Sequence, residues 1–458
     1  MTISRREFLA STVTGTAGVV ISFYAPKGLR AEPMPAPLLP SPNAFLRIGN
    51  DDSVTVLLAH SEMGQGIWTG LAMLIAEELD CDWSKIRCEH APAAPVYAHL
   101  LMGFQMTAGS TSTLSEFDRY RNVGATAKVL LLRAAATRWK TTPAKLAATS
   151  GVITFGNKRL TYGEVAEAAM KLPLPKTVTL KEPKDWKVIG TEVRRLDTPE
   201  KITGKAQFGV DVAFPDLRTA VVLRPPAFGA TLVKFDDSDA LKVPGVEKVV
   251  QTTHGVAVVA KHFWAAKLGR DALRAEWSTP EGGGVSSEKL LAEFRELSHG
   301  EGMTVLDTGT VKDVIDGAAS KHEASYEMPY HAHAAMEPLN CAVKIDGDRC
   351  EIWTGTQFQG IDQGNVAKLL GTTPDKVAIH TLFLGGGFGR RANPQSDFVV
   401  EAVAVAKAAG PTGRRGLSAE SVLRCAVLTQ HRQLSYEELA FYLQDSASFQ
   451  AFARLPVH

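Results

Sequence analysis

Short runs of alternating apolar and polar residues flank Gly49-Asn50-Asp51-Asp52 across residues 45–59, and that spacing predicts a β-hairpin. Over residues 67–79 the apolar positions recur with a 3.6-residue period, which predicts a helix and leaves Ser61-Glu62-Met63-Gly64-Gln65-Gly66 as the loop at its N-terminus. A second helix is expected over residues 117–139, because Val123, Ala127, Leu130, Leu131, Ala134 and Ala135 share one face. Strand-like runs at 220–223, 246–251 and 256–259 alternate with helix-like segments between residues 201 and 277, the pattern of a compact α+β module. Beyond it come a hairpin over 343–353 turning at Asp346-Gly347, a strand over 381–384 that enters Gly385-Gly386-Gly387-Phe388-Gly389-Arg390-Arg391, and a helix over about 397–409. No internal repeat of fixed period is present.

The two ends differ from this body. Residues 1–30 open with Ser4-Arg5-Arg6-Glu7-Phe8-Leu9, and the apolar run that follows is diluted by Ser11, Thr12, Thr14, Gly15 and Thr16. Such a run is shorter and more polar than a membrane-spanning helix requires, and it fits a signal peptide. The paired arginines resemble the twin-arginine export signal, so the expected destination is the periplasm. Five prolines in positions 33–42 read as an extended linker. At 458 residues the chain has room for about three domains. With 45% hydrophobic residues, wholesale disorder is excluded. Lys+Arg 50 against Asp+Glu 49 leaves a net charge of +1, which argues against a nucleic-acid partner. The five cysteines form no C-x-x-C and no zinc or iron–sulfur spacing.

Three segments could carry chemistry. Glycines at 385–389 let backbone approach a ligand, and their amides can form an anion-binding nest beside Arg390 and Arg391. The spacing is neither G-x-G-x-x-G nor that of a P-loop. Gly64-Gln65-Gly66 places a carboxamide with donors and an acceptor at a helix N-terminus. Thr107, Ser110 and Thr111 add hydroxyls. Each segment alone also reads as an ordinary turn, and only convergence in space makes them a site. His331-x-His333, near His322 and Glu337, lacks the further paired motif that a zinc site needs, and no G-x-S-x-G elbow occurs.

Taken together, residues 61–79, Thr107 to Ser115, Met336-Glu337-Pro338, Trp353-Thr354-Gly355-Thr356-Gln357 and residues 385–401 resemble the large subunit of the molybdenum hydroxylases, the xanthine dehydrogenase and aldehyde oxidase family. The nearest branch is that of isoquinoline 1-oxidoreductase beta subunits and related membrane-associated aldehyde dehydrogenases. The resemblance implies an α+β fold: a molybdopterin-binding domain of aldehyde oxidase/xanthine dehydrogenase type, truncated, with an inserted α/β hammerhead domain. It divides the chain into a signal peptide (1–31), a Pro-rich linker (32–42), a first molybdopterin-binding region (43–190), the hammerhead (191–280), a glycine-loop region (281–412) and a tail (413–458).

The same resemblance implies that Gly64, Gln65, Gly66, Thr107 and Ser110 contact a molybdenum–molybdopterin cofactor. It further implies that Gln357 bonds an oxo group on the metal and that Gly386, Gly387, Phe388, Gly389 and Arg390 run along the cofactor. No protein ligand to the metal is expected. Iron–sulfur clusters would lie on a small [2Fe-2S] partner subunit, with a cytochrome c as a further electron acceptor, and an aldehyde or N-heterocycle as substrate. Ala392 stands where some members carry a carboxylate. The larger departure follows residue 410, where the family's second half, with its general-base glutamate, is replaced by a segment around 434–443 that resembles the helical part of an insertion-sequence transposase. The expectation is therefore a truncated chain without turnover, or a gene remnant fused to a mobile-element fragment. A DNA-binding role resting on the tail alone is opposed by the net charge of +1.

Overall fold

The computed structural model describes residues 42–279, 286–306, 308–410 and 421–426. The signal peptide, the linker up to residue 41, the glycines at 282–284 and most of the tail lie outside the described residues.

The first region is built on β1 (Leu46–Ile48) and β2 (Val54–Leu58), antiparallel as the hairpin spacing predicts, with Gly49 N donating to Ser53 O across the turn at 2.8 Å. β3 (Ile86–His90) lies parallel to β2, so the chain must cross over between them. The Ile67–Leu79 helix makes that crossover, and its apolar residues, Leu71, Ile75 and Leu79 among them, are buried. It packs on the Ser112–Trp139 helix, which begins five residues earlier than the apolar period indicates because its first turn is polar and partly exposed. At their closest approach a Cβ on Gly124 would lie 2.7 Å from Ile75 O, so only glycine fits. A meander of β4 (Ala147–Thr149), β5 (Val152–Phe155) and β6 (Lys158–Thr161), then the Gly163–Met170 helix, complete this region.

The second region holds β7 (Arg218–Leu223), β9 (Val246–Thr252) and β10 (Gly255–Ala260), with β10 central and buried at every position. The Phe263–Asp271 helix packs on it, and β8 (Leu232–Asp236) pairs with β11 (Arg274–Trp277). This is the α+β module expected between residues 201 and 277. The third region carries β12 (Asn340–Asp346), β13 (Arg349–Thr354) and β14 (Val377–Thr381), covered by the Gln359–Leu370 and Asp397–Ala409 helices. β14 stops three residues short of the expected strand end. Leu382 and Leu384 donate instead to Thr354 O and Glu62 O, at 3.1 Å each, turning the chain toward the first region.

β15 (Ser421–Ala426) pairs antiparallel with β12 and parallel with β7, giving a seven-stranded sheet in the order β14-β13-β12-β15-β7-β10-β9. The helical segment expected around residues 434–443 lies outside the described residues. The β15 strand pairs the ladder groups that β7 and β12 would otherwise present as open edges. Between the second and third regions, residues 286–306 and 308–334 are almost entirely exposed, and Ala335 returns to the body beside Gly386. The Ser287–Ser298 and Val311–Asp316 helices contain no buried residue, and Met303, Val305, Tyr326, Met328 and Tyr330 are exposed. Arg295 and Glu327 pair within this arm.

Candidate functional site

Glu62 organises the loop that precedes the first helix. Its fully buried carboxylate accepts from the amides of Gly64 (2.8 Å), Gly66 (3.1 Å) and Trp68 (3.1 Å). Arg195 Nη2 holds the same carboxylate at 3.1 Å, and Arg195 Nη1 donates to Gly64 O. Gly64 (φ 111) and Gly66 (φ 89) occupy the left-handed region that lets the loop wrap around one side chain. The donors expected to meet an external anion are thus engaged by an internal one. Gln65 is likewise folded back, donating to Ser61 O and accepting from Met63 N, each at 2.8 Å. The acidic residue just before a helix start was a legible signal for this cap. Sequence reasoning, drawn to the glycines, missed it.

The glycine loop at 385–391 is held from beneath by Arg391, which is 1% exposed. Its guanidinium donates to Gly386 O (2.9 Å), Gly355 O (3.1 Å), Glu337 O (2.9 Å) and Glu337 Oε2 (2.9 Å). Glu337 in turn accepts from Gly385 N, Gly209 N and Asn340 Nδ2. Burial pulls the Arg391 guanidinium below its ordinary value, and Glu337 opposes that shift. Arg390, the residue expected to face the cofactor, forms a forked pair with Asp397 at 3.1 and 2.6 Å. The two arginines therefore divide: one is internal scaffold, the other is half-exposed and held on the following helix.

Above that scaffold, no described residue accepts a hydrogen bond from the amides of Gly386, Gly387, Phe388 or Gly389. Positive φ at Gly386 (98), Phe388 (51) and Gly389 (89) turns this backbone into a concavity of free donors. A Cβ on Gly387 would lie 2.7 Å from Met63 Sδ and 2.9 Å from Gln357 Oε1, so the loop rests directly on both residues.

Gln357 and Thr107 are joined twice. Gln357 Nε2 donates to Thr107 O at 2.6 Å, and Thr107 N donates to Gln357 O at 2.9 Å. Thr107 Oγ1 accepts from Ser61 N at 2.8 Å, which ties the pair to the Glu62 loop. Ser61 Oγ donates to Thr356 O and accepts from Gln359 Nε2. Among the described residues the buried Oε1 atoms of Gln357 and Gln359 have no partner. The orphaned Gln357 oxygen beside the Gly387 backbone, with the free amides of that loop, fits a bound group that carries both anionic acceptors and N–H donors. Gln359 was not foreseen, because nothing in its spacing distinguishes it from a helix-start glutamine.

Of the expected site residues, Gly64, Gln65, Thr107, Gln357 and Gly387 are linked through Ser61, Met63 and these direct bonds. Ser110 is exposed, in a left-handed turn (φ 55) two residues before its helix. His322, His331 and His333 lie exposed on the arm, while Glu337 is engaged by Arg391. Among the described residues no group of three or more His, Cys, Asp or Glu could hold a metal, and no helix is long and apolar enough to cross a membrane.

Two family profiles, both described as molybdopterin cofactor-binding domain, match residues 8–214 and 297–451. The chain is 32% identical over 464 residues to isoquinoline 1-oxidoreductase subunit beta of Brevundimonas diminuta, covering 90% of this chain and 58% of that protein. It is 29% identical over 435 residues to the membrane-bound aldehyde dehydrogenase of Gluconacetobacter polyoxogenes, covering 89% of this chain and 54% of that one. Among solved structures, quinoline 2-oxidoreductase from Pseudomonas putida 86 aligns with a TM-score of 0.38 at 17% identity, over 52% of this chain and 34% of that chain. The chain thus spans a little over half the length of the curated relatives it matches. The two profiles and the identity to the isoquinoline enzyme show that the chain belongs to the large-subunit family of the molybdenum hydroxylases.

Proposed function

We propose that this chain is the molybdopterin-binding part of an exported oxidoreductase that oxidises aldehydes or hydroxylates N-heterocycles with water as the oxygen source. The observation that carries the reading is the set of four free amides at residues 386–389, with Gly387 packed on Gln357, which is bonded to Thr107. When bound, a molybdenum–molybdopterin cofactor supplies the redox centre that takes electrons from the substrate carbon. The amides of Gly386 to Gly389 hold its anionic oxygens, Gln357 orients it through the free carboxamide oxygen, and Thr107 fixes Gln357. Gly64, Gln65 and Gly66 border the cofactor from the Glu62 loop, with Ser110 at the rim and Arg390 contributing positive charge. Glu337 and Arg391 keep the glycine loop in shape and touch nothing bound. Electrons leave through a separate [2Fe-2S] subunit toward an acceptor such as a cytochrome c, a reading supported by the lack of any cluster-binding cysteine pattern in this chain. The paired Arg5 and Arg6 support twin-arginine export to the periplasm, with association at the membrane surface.

The chain covers 58% of the isoquinoline enzyme's subunit, and the activity proposed here is that of a complete assembly. The exposed apolar side chains of the 286–334 arm support this, since a surface of that kind ordinarily meets a partner polypeptide. The test co-expresses the full chain with the [2Fe-2S] subunit, with and without a polypeptide matching the unaligned remainder of the isoquinoline enzyme. Molybdenum content and dye reduction by aldehydes and N-heterocycles are then measured. Stoichiometric molybdenum and turnover only in the completed assembly support both readings. Turnover by the chain alone overturns the need for that assembly, and a completed assembly without molybdenum overturns the cofactor role.

A further inference from the structure

Asp362 lies in the first turn of the Gln359–Leu370 helix and is 2% exposed. Its Oδ2 is bonded by Thr356 Oγ1, whose oxygen also accepts from Phe358 N at 3.0 Å, so the hydroxyl proton is free to point at the carboxyl. Asp362 N donates to Phe358 O at 2.9 Å, closing the turn from the backbone side. Ser396 bonds the same carboxyl and accepts from Asn365 Nδ2 at 2.9 Å. One buried side chain therefore ties the residues on both sides of Gln357 to the segment that leaves the glycine loop. The charged groups facing it are the Asp397 carboxylate, from the next helix, and Arg390, which pairs with Asp397.

We propose that Asp362 is a positioning residue: through Thr356 and Phe358 it sets the turn that presents Gln357 beneath Gly387, without itself touching what binds there. A buried carboxyl held by two hydroxyls and no direct cation is an unusual element to retain for packing alone. Its geometry explains the retention, since an acceptor is needed where Thr356 must point its proton away from the site. Burial, with a smaller contribution from Asp397, raises the Asp362 carboxyl from 3.8 to about 7, partly offset by Ser396 and Thr356. The turn therefore changes its internal bonding near neutral pH. Protonated Asp362 donates to a hydroxyl oxygen, and the ionised form accepts from it.

The proposal rests on Gln357 being a cofactor contact, but its test reads the turn alone, so either can fail separately. Hydrogen exchange by mass spectrometry is followed in the full chain for peptides covering residues 354–358, 385–391 and, as a reference, 67–79. Asp362→Ala and Thr356→Val should raise exchange in the first two peptides about tenfold, the size of one lost hydrogen bond to a carboxyl, and leave the reference unchanged. Asp362→Asn keeps an acceptor for Thr356 and should restore protection. In the wild-type chain, exchange at 354–358 corrected for intrinsic chemistry should change between about pH 6 and about pH 8, and Asp362→Asn should abolish that change. Equal loosening in all three peptides, no loosening in any, or an unchanged pH profile in Asp362→Asn would each overturn the proposal. Should Asp362→Ala fail to fold, the Asn variant and the wild-type pH profile decide it.

Discussion

Replacing Arg391 by methionine probes the scaffold beneath the glycine loop. Methionine fills much of the space of the arginine stem, so the change removes polar contacts with little cavity formation. Four hydrogen bonds are lost, to Gly386 O, Gly355 O, Glu337 O and Glu337 Oε2, from a side chain 1% exposed. Breaking a buried ion pair from one side costs about 3–5 kcal/mol, and each carbonyl left dry adds about 1–3 kcal/mol. Glu337 keeps Gly385 N, Gly209 N and Asn340 Nδ2 as donors, which limits the penalty on its charge. The expected net loss is therefore at least about 4 kcal/mol, a large share of the roughly 5–15 kcal/mol that holds a domain together. Arg391→Lys, which offers a point charge in place of a planar fork, should lie between the two. Arg390→Met is the control: its pair with Asp397 is half-exposed, so the cost should stay within about 1 kcal/mol. Urea unfolding of the four proteins measures these differences, and a double-mutant cycle with Glu337→Gln should show coupling above about 1 kcal/mol. If Arg391→Met lies within about 0.5 kcal/mol of the wild type, or the cycle is additive, the buried hub does not hold the loop.

Gly124→Ala should destabilise by about 1 kcal/mol in urea although alanine is the better helix former, because its Cβ would lie 2.7 Å from Ile75 O; a gain in stability would mean that the two helices are not in that contact. Glu62→Gln weakens the cap over Gly64, Gly66 and Trp68 and its pair with Arg195, and should raise hydrogen exchange at those amides about tenfold with the β10 strand unaffected. Thermal stability should pass through a maximum in mildly acidic solution. Burial pushes Glu77, Asp80 and Asp197 up, but Lys181 and backbone amides, Lys128 with Lys181, and Arg195 with Lys201 outweigh it and hold all three low, so their contribution is lost as pH falls below the ordinary values of 4.5 and 3.8. Asp362 acts in the opposite sense: raised to about 7 by burial, it contributes fully below 3.8 and loses that contribution as pH rises toward 7, so Asp362→Asn should flatten the neutral side of a melting-temperature profile and leave the acid side alone.

The hydrophobic pattern located the elements that bury a continuous face. The Ile67–Leu79 and Asp397–Ala409 helices and the β12–β13 hairpin follow the periodicity because each packs one apolar side against a sheet or another helix. What escaped it were β4, β5 and β6, three or four residues each, too short for alternation to register, and the Ser287–Ser298 helix, whose amphipathic face meets nothing described. The long helix began early for a related reason: Ser112 and Thr113 are helical through their backbone but contribute no apolar position to the pattern. β15 lies in a stretch whose composition pointed elsewhere, and only its two neighbours in the sheet define it.

At the site, two glycine-bearing loops look alike in sequence and differ in electrostatic state. Residues 64–66 surround the carboxylate of Glu62, whereas residues 386–389 leave their amides open, because Arg391 takes the Gly386 carbonyl and Glu337 reaches only the Gly385 amide. Side-chain direction decides this, and periodicity carries no information about it. The consequence separates two substitutions that sequence alone would treat as equivalent. Gly66→Ala forces a side chain into φ 89, a conformation that costs about 1–2 kcal/mol, and should lower stability in urea by that amount. Gly387→Ala meets Met63 Sδ and Gln357 Oε1 within 3 Å, and the soft ends of those side chains can move aside. Its main effect should fall on Gln357 and on molybdenum retained by the completed assembly, with little change in urea. If both variants lose stability equally and retain molybdenum equally, the two loops do not have the distinct roles that their hydrogen bonds assign them.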